Sequence, residues 1–304
     1  MITVHHLENS RSQRVLWLLE ELGLPYQIEH YKRDAKTMLA PASLRKVHAL
    51  GKSPVVTDGE TTVIQPATTR DHTERMLGAH GFDVTRSRGW LRLEPTGAFH
   101  PFAMQIPGDP SSAAFLLVAA ALRPGAQLTV RSVTLNPGRT GFLDVLESMG
   151  ASVARTATGL VRGDPIGDVS VSAAPLHGVR LSGPLAVRAL DELPLVGLLA
   201  AAAAGETVVS GAAALRAKES DRIAATVRLA RAVGAAAEER PDGFVVLGSR
   251  LRPGGSVHAD GDHRIAMAGA VAAVAADGEF SVAGYEAVEA SWPGFGEALE
   301  GLWS

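Results

Sequence analysis

The chain contains no cysteine, so disulfides, thiolate catalysis and cysteine-ligated zinc are excluded. It also has little net charge. A formal −3 over 304 residues gives no general attraction to nucleic acid or to an anionic membrane, and neither is expected as a partner. Any recognition of anions must then come from a local cluster of Lys and Arg. Long apolar runs are missing too: the most apolar stretch, Leu193 to Ala204, is interrupted by Pro194 and too short to span a bilayer, so it reads as a buried helix. The opening MITVHHLENS lacks a basic segment followed by an apolar run, so no secretion signal is expected and a soluble cytoplasmic protein is the default. What the chain does have is 46% hydrophobic against 20% charged residues, enough for sizeable cores over a length suited to two domains.

Periodicity predicts an α/β protein. Ile2 to His5 reads as a strand, Arg11 to Leu22 as a helix with Ser10 as its N-cap and Gly23 as its stop, and Tyr26 to Tyr31 as a second strand. A helix over Pro41 to Val47 and a strand at Pro54 to Val56 follow. Asp58-Gly59 is a hairpin signal, with Thr61 to Ile64 as the returning strand. A helix over Arg70 to Ala79, ended by Gly81, completes a β-α-β-α-β-β-α order, that of a thioredoxin-like domain over residues 1–83. Residues 84–104 show no clear period and are expected to connect it to a second α/β domain over residues 105–304. There, Asp109 and Pro110 open an apolar helix to about Leu122, Gln127 to Val133 is a strand, and Arg139 to Met149 a helix. A strand-rich stretch, 159–187, precedes a helix from about Pro194. Thr207 to Val209 and Gly243 to Leu247 are then strands, and Asp221 to Val233 and Asp262 to Ala276 helices.

The run ENSRSQRVLWLLEELGLPYQI, with GKSPVVTDG downstream, resembles the start of bacterial glutathione transferases. That resemblance implies a glutathione site in which Ser10, or Asn9, faces the thiol and the Ser53-Pro54-Val55 edge takes the cysteinyl backbone. A helix N-terminus beside a thiol favours the thiolate. Where that family carries a Glu-Ser pair for the γ-glutamyl carboxylate, this chain has Gln65-Pro66, which removes the charge, the hydroxyl and one backbone N–H. Ser10 also reads simply as a helix cap.

Four charged motifs stand at predicted strand ends or helix starts: Gly108-Asp109-Pro110-Ser111-Ser112, Asp191-Glu192-Leu193-Pro194, Lys218-Glu219-Ser220-Asp221-Arg222 and Asp262-His263-Arg264. Cations and amide dipoles hold anions while neighbouring carboxylates move protons, the equipment for chemistry on a phosphorylated carboxylate. Taken alone, the run Lys218 to Arg222 reads as an exposed helix entry with an Asp cap and a solvated charge face.

With PATTRDHTERML, GDPSSAAFLLVAAAL, LNPGRTGFLDVLESMGA, DELP, LRAKESDRIAA, DHRIAMA and WPGF in order, residues from about 59 to 304 resemble the EPSP synthase (3-phosphoshikimate 1-carboxyvinyltransferase) family. The sister enzymes acting on UDP-N-acetylglucosamine lack the KESDR-type run and usually rely on a cysteine. The resemblance implies one α/β lobe of the enolpyruvyl transferase fold and transfer of enolpyruvyl from phosphoenolpyruvate to shikimate 3-phosphate, without metal or organic cofactor. It makes Asp191 the carboxylate that takes the hydroxyl proton, and Glu219 with Lys218 the donor to the methylene carbon. Lys218, Arg222 and Arg264 would hold phosphoenolpyruvate, and Thr69 and Arg70, with His72 nearby, the shikimate phosphate. His263 reads as a neighbour of Arg264. His258, Asp260, Asp262 and His263 are disfavoured as a metal set.

The family's front-half segments, an early Lys-Ser, an Asn-Ala-Gly-Thr loop and a Ser-Ser-Gln group, do not occur in these 304 residues. The two resemblances meet at Asp58-Gly59, which predicts a chimera joined there. It also predicts that residues 59–77 are drawn into the thioredoxin-like domain, carrying Thr69 and Arg70 away from the site. Three readings stay open: a weak carboxyvinyl transferase, a glutathione-binding module, and a folded fusion without activity.

Overall fold

Strands and helices alternate along the described residues. The computed structural model describes residues 2–8, 10, 12–34, 37, 39–47, 55–57, 61–64, 69–87, 90–94, 101–276 and 278–302. They divide into one unit of Met1–Pro66 and Thr73–Met104 and another of Ala67–His72 and Gln105–Ser304.

In the first unit, β1 (Ile2–Leu7), α1 (Gln13–Glu21) and β2 (Tyr26–Tyr31) form the expected strand-helix-strand unit, with β1 and β2 parallel from Ile2↔Tyr26 to Leu7↔Tyr31. After α2 (Ala42–Val47), β3 (Val55–Thr57) lies antiparallel on the other edge of β1, giving the order β2-β1-β3. Leu7, Tyr31 and Leu44 close a small apolar core, and His5 Nδ1 and the Tyr31 hydroxyl share a hydrogen bond of 2.9 Å. The helix cap differs from the expectation. Ser12, not Ser10, precedes α1, and its hydroxyl makes no cap bond because it is engaged by His6 Nδ1 and by Ser10 Oγ, each at 2.7 Å.

The larger correction concerns β4 (Thr61–Ile64). It does not return against β3, as a hairpin at Asp58-Gly59 would require. After α3 (His72–Ala79) and β5 (Asp83–Ser87), β6 (Trp90–Glu94) pairs antiparallel with both β4 and β5, in the order β4-β6-β5. The alternation of WLRLE supplies a partner of matching period, with Leu91 buried. Residues 84–104, expected as a connection, therefore carry paired strands, and β4 leaves the βαβαββα arrangement expected for residues 1–83.

The second unit is organised around helices that are apolar on nearly every side, which drives them inside. α4 (Pro110–Leu122) opens as expected: Asp109 accepts the Ser111 N–H at 3.2 Å and Pro110 takes the first helical turn. β7 (Gln127–Thr134), α5 (Gly141–Ser148), β8 (Ser152–Val161) and β9 (Asp164–Ser172) follow, with the antiparallel sheet order β7-β9-β8. β10 (Arg180–Leu181) and α6 (Gly183–Arg188) lead into a 3-10 turn, Leu190–Glu192, and the buried α7 (Leu193–Ala202). β11 (Glu206–Val209), α8 (Arg222–Ala232), β12 (Ala236–Arg240) and β13 (Gly243–Leu247) complete a four-stranded sheet ordered β10-β11-β13-β12. β14 (Ser256–His258) and β15 (Ser281–Ala283) pair in parallel around α9 (His263–Ala275), and α10 (Phe295–Glu300) follows β15. Small residues let these helices touch. A Cβ added at Gly197 of α7 would lie 2.2 Å from Thr226 Cγ2 of α8, so this crossing requires glycine. Among the described residues, no helix is long and apolar enough to cross a membrane.

Candidate active site

Three helix starts in the second unit present the charged motifs. Asp191 lies in the 3-10 turn that feeds α7, with Pro194 in the first turn. Asp221 caps α8 by accepting the Ile223 and Ala224 N–H groups at 3.1 Å each, and Asp262 caps α9 by accepting the Arg264 N–H at 2.9 Å. Side-chain caps of this kind stabilise helix ends and fix the residues that follow. Lys218, Arg222 and Arg264 are thereby set around one point.

That point is the Asp191 carboxylate. Lys218 Nζ lies 3.2 Å and Arg222 Nη1 3.5 Å from its Oδ1, and Arg264 Nη2 lies 4.0 Å from its Oδ2. Arg70, from a segment far away in sequence, donates a hydrogen bond to Oδ2. Burial pushes the Asp191 carboxyl up, but the charges of Arg264, Arg70 and Lys218 and the Arg70 hydrogen bond outweigh it and hold it at about 2. The expectation that Arg70 would be carried away from the site is therefore wrong: residues 67–72 belong to the second unit. Thr69 is exposed beside Arg70.

Arg222 does not stand free to meet an anion. It is 1% exposed, with Nε on Asp262 Oδ2 at 2.7 Å, Nη2 on Asp262 Oδ1 at 3.1 Å, and Nη2 on Glu219 Oε2 at 2.6 Å. It thus spaces Glu219 and Asp191 from the buried Asp262. Burial raises the Asp262 carboxyl, yet the Arg222 hydrogen bonds and charge bring it below the ordinary carboxylate value. Burial and then the charge of Arg264 lower His263.

A second carboxylate was not singled out from the sequence. Glu192 is 4% exposed and accepts from Ser111 Oγ at 2.5 Å, while Arg264 Nη1 stands 3.7 Å from it. Burial raises its carboxyl above the usual range, against the pull of the Ser111 hydrogen bond and Arg264. Arg139 supports Ser111 at 3.0 Å and pairs with Asp109. The signal was present in GDPSS, LNPGRT and DELP; only their mutual contact was hidden.

Of the residues expected for a glutathione site, Ser10 and Val55 are the described ones, and Asn9 is not. Ser10 Oγ is held by Ser12 and accepts the Ser12 N–H at 3.3 Å. Val55 pairs along the backbone with His5. Ser53, Pro54 and Gln65 lie outside the described residues. Among the described residues, no three His, Asp or Glu side chains group to hold a metal ion; His258 pairs with Asp260 at 2.8 Å.

The family model described as EPSP synthase (3-phosphoshikimate 1-carboxyvinyltransferase) matches residues 25–299. The chain belongs to that family. Among curated relatives, the 3-phosphoshikimate 1-carboxyvinyltransferase of Roseiflexus castenholzii is 43% identical over 261 residues, 85% of this chain and 61% of the relative. That of Acidithiobacillus ferrooxidans is 46% identical over 238 residues, 78% of this chain and 55% of the relative. A solved EPSP synthase from Acinetobacter baumannii superposes with a TM-score of 0.75 at 36% identity, over 81% of this chain and 57% of that one. A second from the same organism gives 0.75 at 29% identity over 99% of this chain and 73% of that one. The chain thus spans about three fifths of the length of the curated relatives it matches, 61% of the first two. The family match begins at residue 25, within the stretch expected to belong to glutathione transferases, so the likeness does not start at Asp58-Gly59.

Proposed function

We propose that the chain carries one half of a site for enolpyruvyl transfer from phosphoenolpyruvate to shikimate 3-phosphate. The observation that supports this most is the convergence of Arg70, Lys218 and Arg264 on Asp191. A substrate phosphate and carboxylate compete well for such cations, bidentately for the guanidinium groups. In this reading Lys218 and Arg264 hold phosphoenolpyruvate, and Arg70, beside Thr69, the shikimate phosphate. Arg222, enclosed by three carboxylates, orients Glu219 and Asp191 rather than reaching the substrate.

The chemistry follows from the charges. The substrate hydroxyl oxygen bonds to C2 of phosphoenolpyruvate, its proton passes to Asp191, and Glu219 with Lys218 delivers a proton to C3. Loss of a proton and of phosphate then restores the double bond. With the cations on it, Asp191 sits at about 2 and is a weak base. Substrate anions that take over Arg70, Lys218 and Arg264 would raise its proton affinity, so the base becomes competent when both substrates are seated.

The described residues form one face of the site, and a single face lacks much of the positioning and electrostatic stabilisation of an enclosed one. We therefore expect slow phosphate release from the chain with both compounds, lost in Glu219→Gln. Release that persists in Glu219→Gln would contradict proton delivery by Glu219, and no release at all would contradict a catalytic role for this chain. We also infer that β1, α1, β2 and β3 open a thioredoxin-like arrangement, supported by the parallel β1–β2 pair and antiparallel β3. No observation favours a glutathione site there.

A further inference from the structure

Arg70 reaches Asp191 from a short segment, and the segment is fixed by one buried amide. Asn136, at the end of the β7 excursion, is 0% exposed. Its Nδ2 donates to Asp71 Oδ1 at 2.6 Å and to Asp164 Oδ1 at 2.5 Å, and its Oδ1 accepts the Gly138 N–H at 2.8 Å. An amide nitrogen has two donors, so both carboxylates are served at once. Asp164 Oδ2 in turn meets His72 Nδ1 at 2.5 Å. Asn136 thus grips both residues that follow Arg70, Asp71 directly and His72 through Asp164.

Gly138 supplies the surface on which the segment rests. A Cβ there would stand 2.6 Å from the Thr69 carbonyl oxygen and 3.1 Å from Arg70 Cα. Any side chain would lift the Arg70 backbone away. The arginine is therefore set from below by a missing side chain and from one side by a buried amide, and only its guanidinium extends to the site, where Arg70 is 47% exposed.

We infer that Asn136 and Gly138 are positioning residues for the arginine on the shikimate-phosphate side, and that they act on that substrate and not on phosphoenolpyruvate. The substrate assignment rests on the function proposed above; the clasp itself does not. Neither residue touches Asp191, Lys218, Glu219 or Arg264 in any contact described for them, so a disturbance should travel through Arg70 alone.

The test is calorimetric titration of the full chain with shikimate 3-phosphate and, separately, phosphoenolpyruvate. The variants are Asn136→Asp, which keeps the shape and removes both donors, Gly138→Ala, which keeps the donors and raises the bed, Arg70→Ala, and the Asn136→Asp/Arg70→Ala pair. Asn136→Asp and Gly138→Ala should each weaken shikimate 3-phosphate at least about tenfold, the double variant should lose no more than Arg70→Ala alone, and phosphoenolpyruvate affinity should stay within about twofold. Additive losses, or equal losses for both compounds, would overturn the inference. If Asn136→Asp fails to fold, Gly138→Ala carries the same comparison.

A wild-type chain that binds no shikimate 3-phosphate, or an Arg70→Ala variant that binds it unchanged, defeats the substrate reading instead. The clasp is then read from the Arg70 side-chain N–H resonances by NMR: slow solvent exchange in the wild type, lost in Asn136→Asp and in Gly138→Ala. Resonances unchanged in both variants would overturn the clasp.

Discussion

Two regions of this molecule use the same alternation of strand and helix to different ends. Around the sheet β2-β1-β3, the buried apolar side chains are few, Val4, Leu7, Leu19, Tyr31 and Leu44, and α1 leaves Trp17 66% exposed and Leu18 and Leu22 exposed beside it. In the second unit, α7 buries every residue but Ala202 and α4 all but Pro110, Ser112, Leu116 and Leu122, and one cluster of buried residues reaches from Ala113 to Leu299. A one-sided helix depends on whatever covers its stripe, whereas an all-apolar helix is committed to an interior. Rigid placement of charged groups follows the second kind. Arg222 and Arg264 of the candidate site stand in the first turns of α8 and α9, whose bodies are buried, and a site that must hold several like charges together needs such support.

The comparison can be broken most forcefully at Asp262. Removing one partner of a buried, hydrogen-bonded ion pair leaves an uncompensated charge and costs about 3–5 kcal/mol. Asp262→Ala takes both Asp262 hydrogen bonds from Arg222, leaving it Glu219 and Asp191, and removes the α9 cap, so urea unfolding of the second unit should lose about 3 kcal/mol, the low end of that range, with the β1–β3 sheet unaffected. A loss below about 1 kcal/mol would show that Glu219 and Asp191 suffice to hold Arg222.

Acid should discriminate between the regions next. Asp191 and Asp262 have folded values below the ordinary carboxylate value of 3.8. Their stabilisation is fully present above 3.8 and is lost as pH falls through the folded values, for Asp191 toward about 2. Glu192 acts in the opposite sense: its raised value favours the fold at low pH and loses that contribution as pH rises above 4.5 through the folded value. Between pH 4 and pH 2, Asp191 should contribute a fall of roughly 1–2 kcal/mol after solvent screening. Stability that is flat across that interval in the wild type, and equal in Asp191→Asn, would contradict the cation cluster. At the small end, Trp17→Ser should change stability by no more than about 0.5 kcal/mol in thermal unfolding; a larger loss would mean that the α1 stripe is covered in solution.

Legibility from sequence followed the range of the interactions. Asp109 with Pro110 and Asp221 act within three residues of themselves, and the caps they make were readable directly, whereas Asp262 read only as the start of a helix. Short motifs also located Asp191, Lys218, Glu219 and Arg264. The failures were pairings across distance. Ser10 looked like a cap because nothing local showed that His6 would engage Ser12. β4 was assigned to β3 because Asp58-Gly59 favours a tight turn, whereas its partner Trp90–Glu94 lay in a stretch flanked by Pro95 and Gly97 that read as irregular. Arg70 and Asp191, and likewise Ser111 and Glu192, meet only through packing, so the role of Arg70 was inferred by resemblance and that of Glu192 was missed.

The central claim is that the cations gathered on Asp191 exist to bind a phosphorylated carboxylate. Calorimetric titration of the full chain with phosphoenolpyruvate tests it most directly, comparing wild type, Arg264→Ala and Arg180→Ala, the last an arginine 79% exposed and paired with Glu206. The account predicts saturable binding that Arg264→Ala weakens at least about tenfold, the loss of one charge-assisted contact, and that Arg180→Ala leaves unchanged. Equal affinity in all three proteins would contradict it.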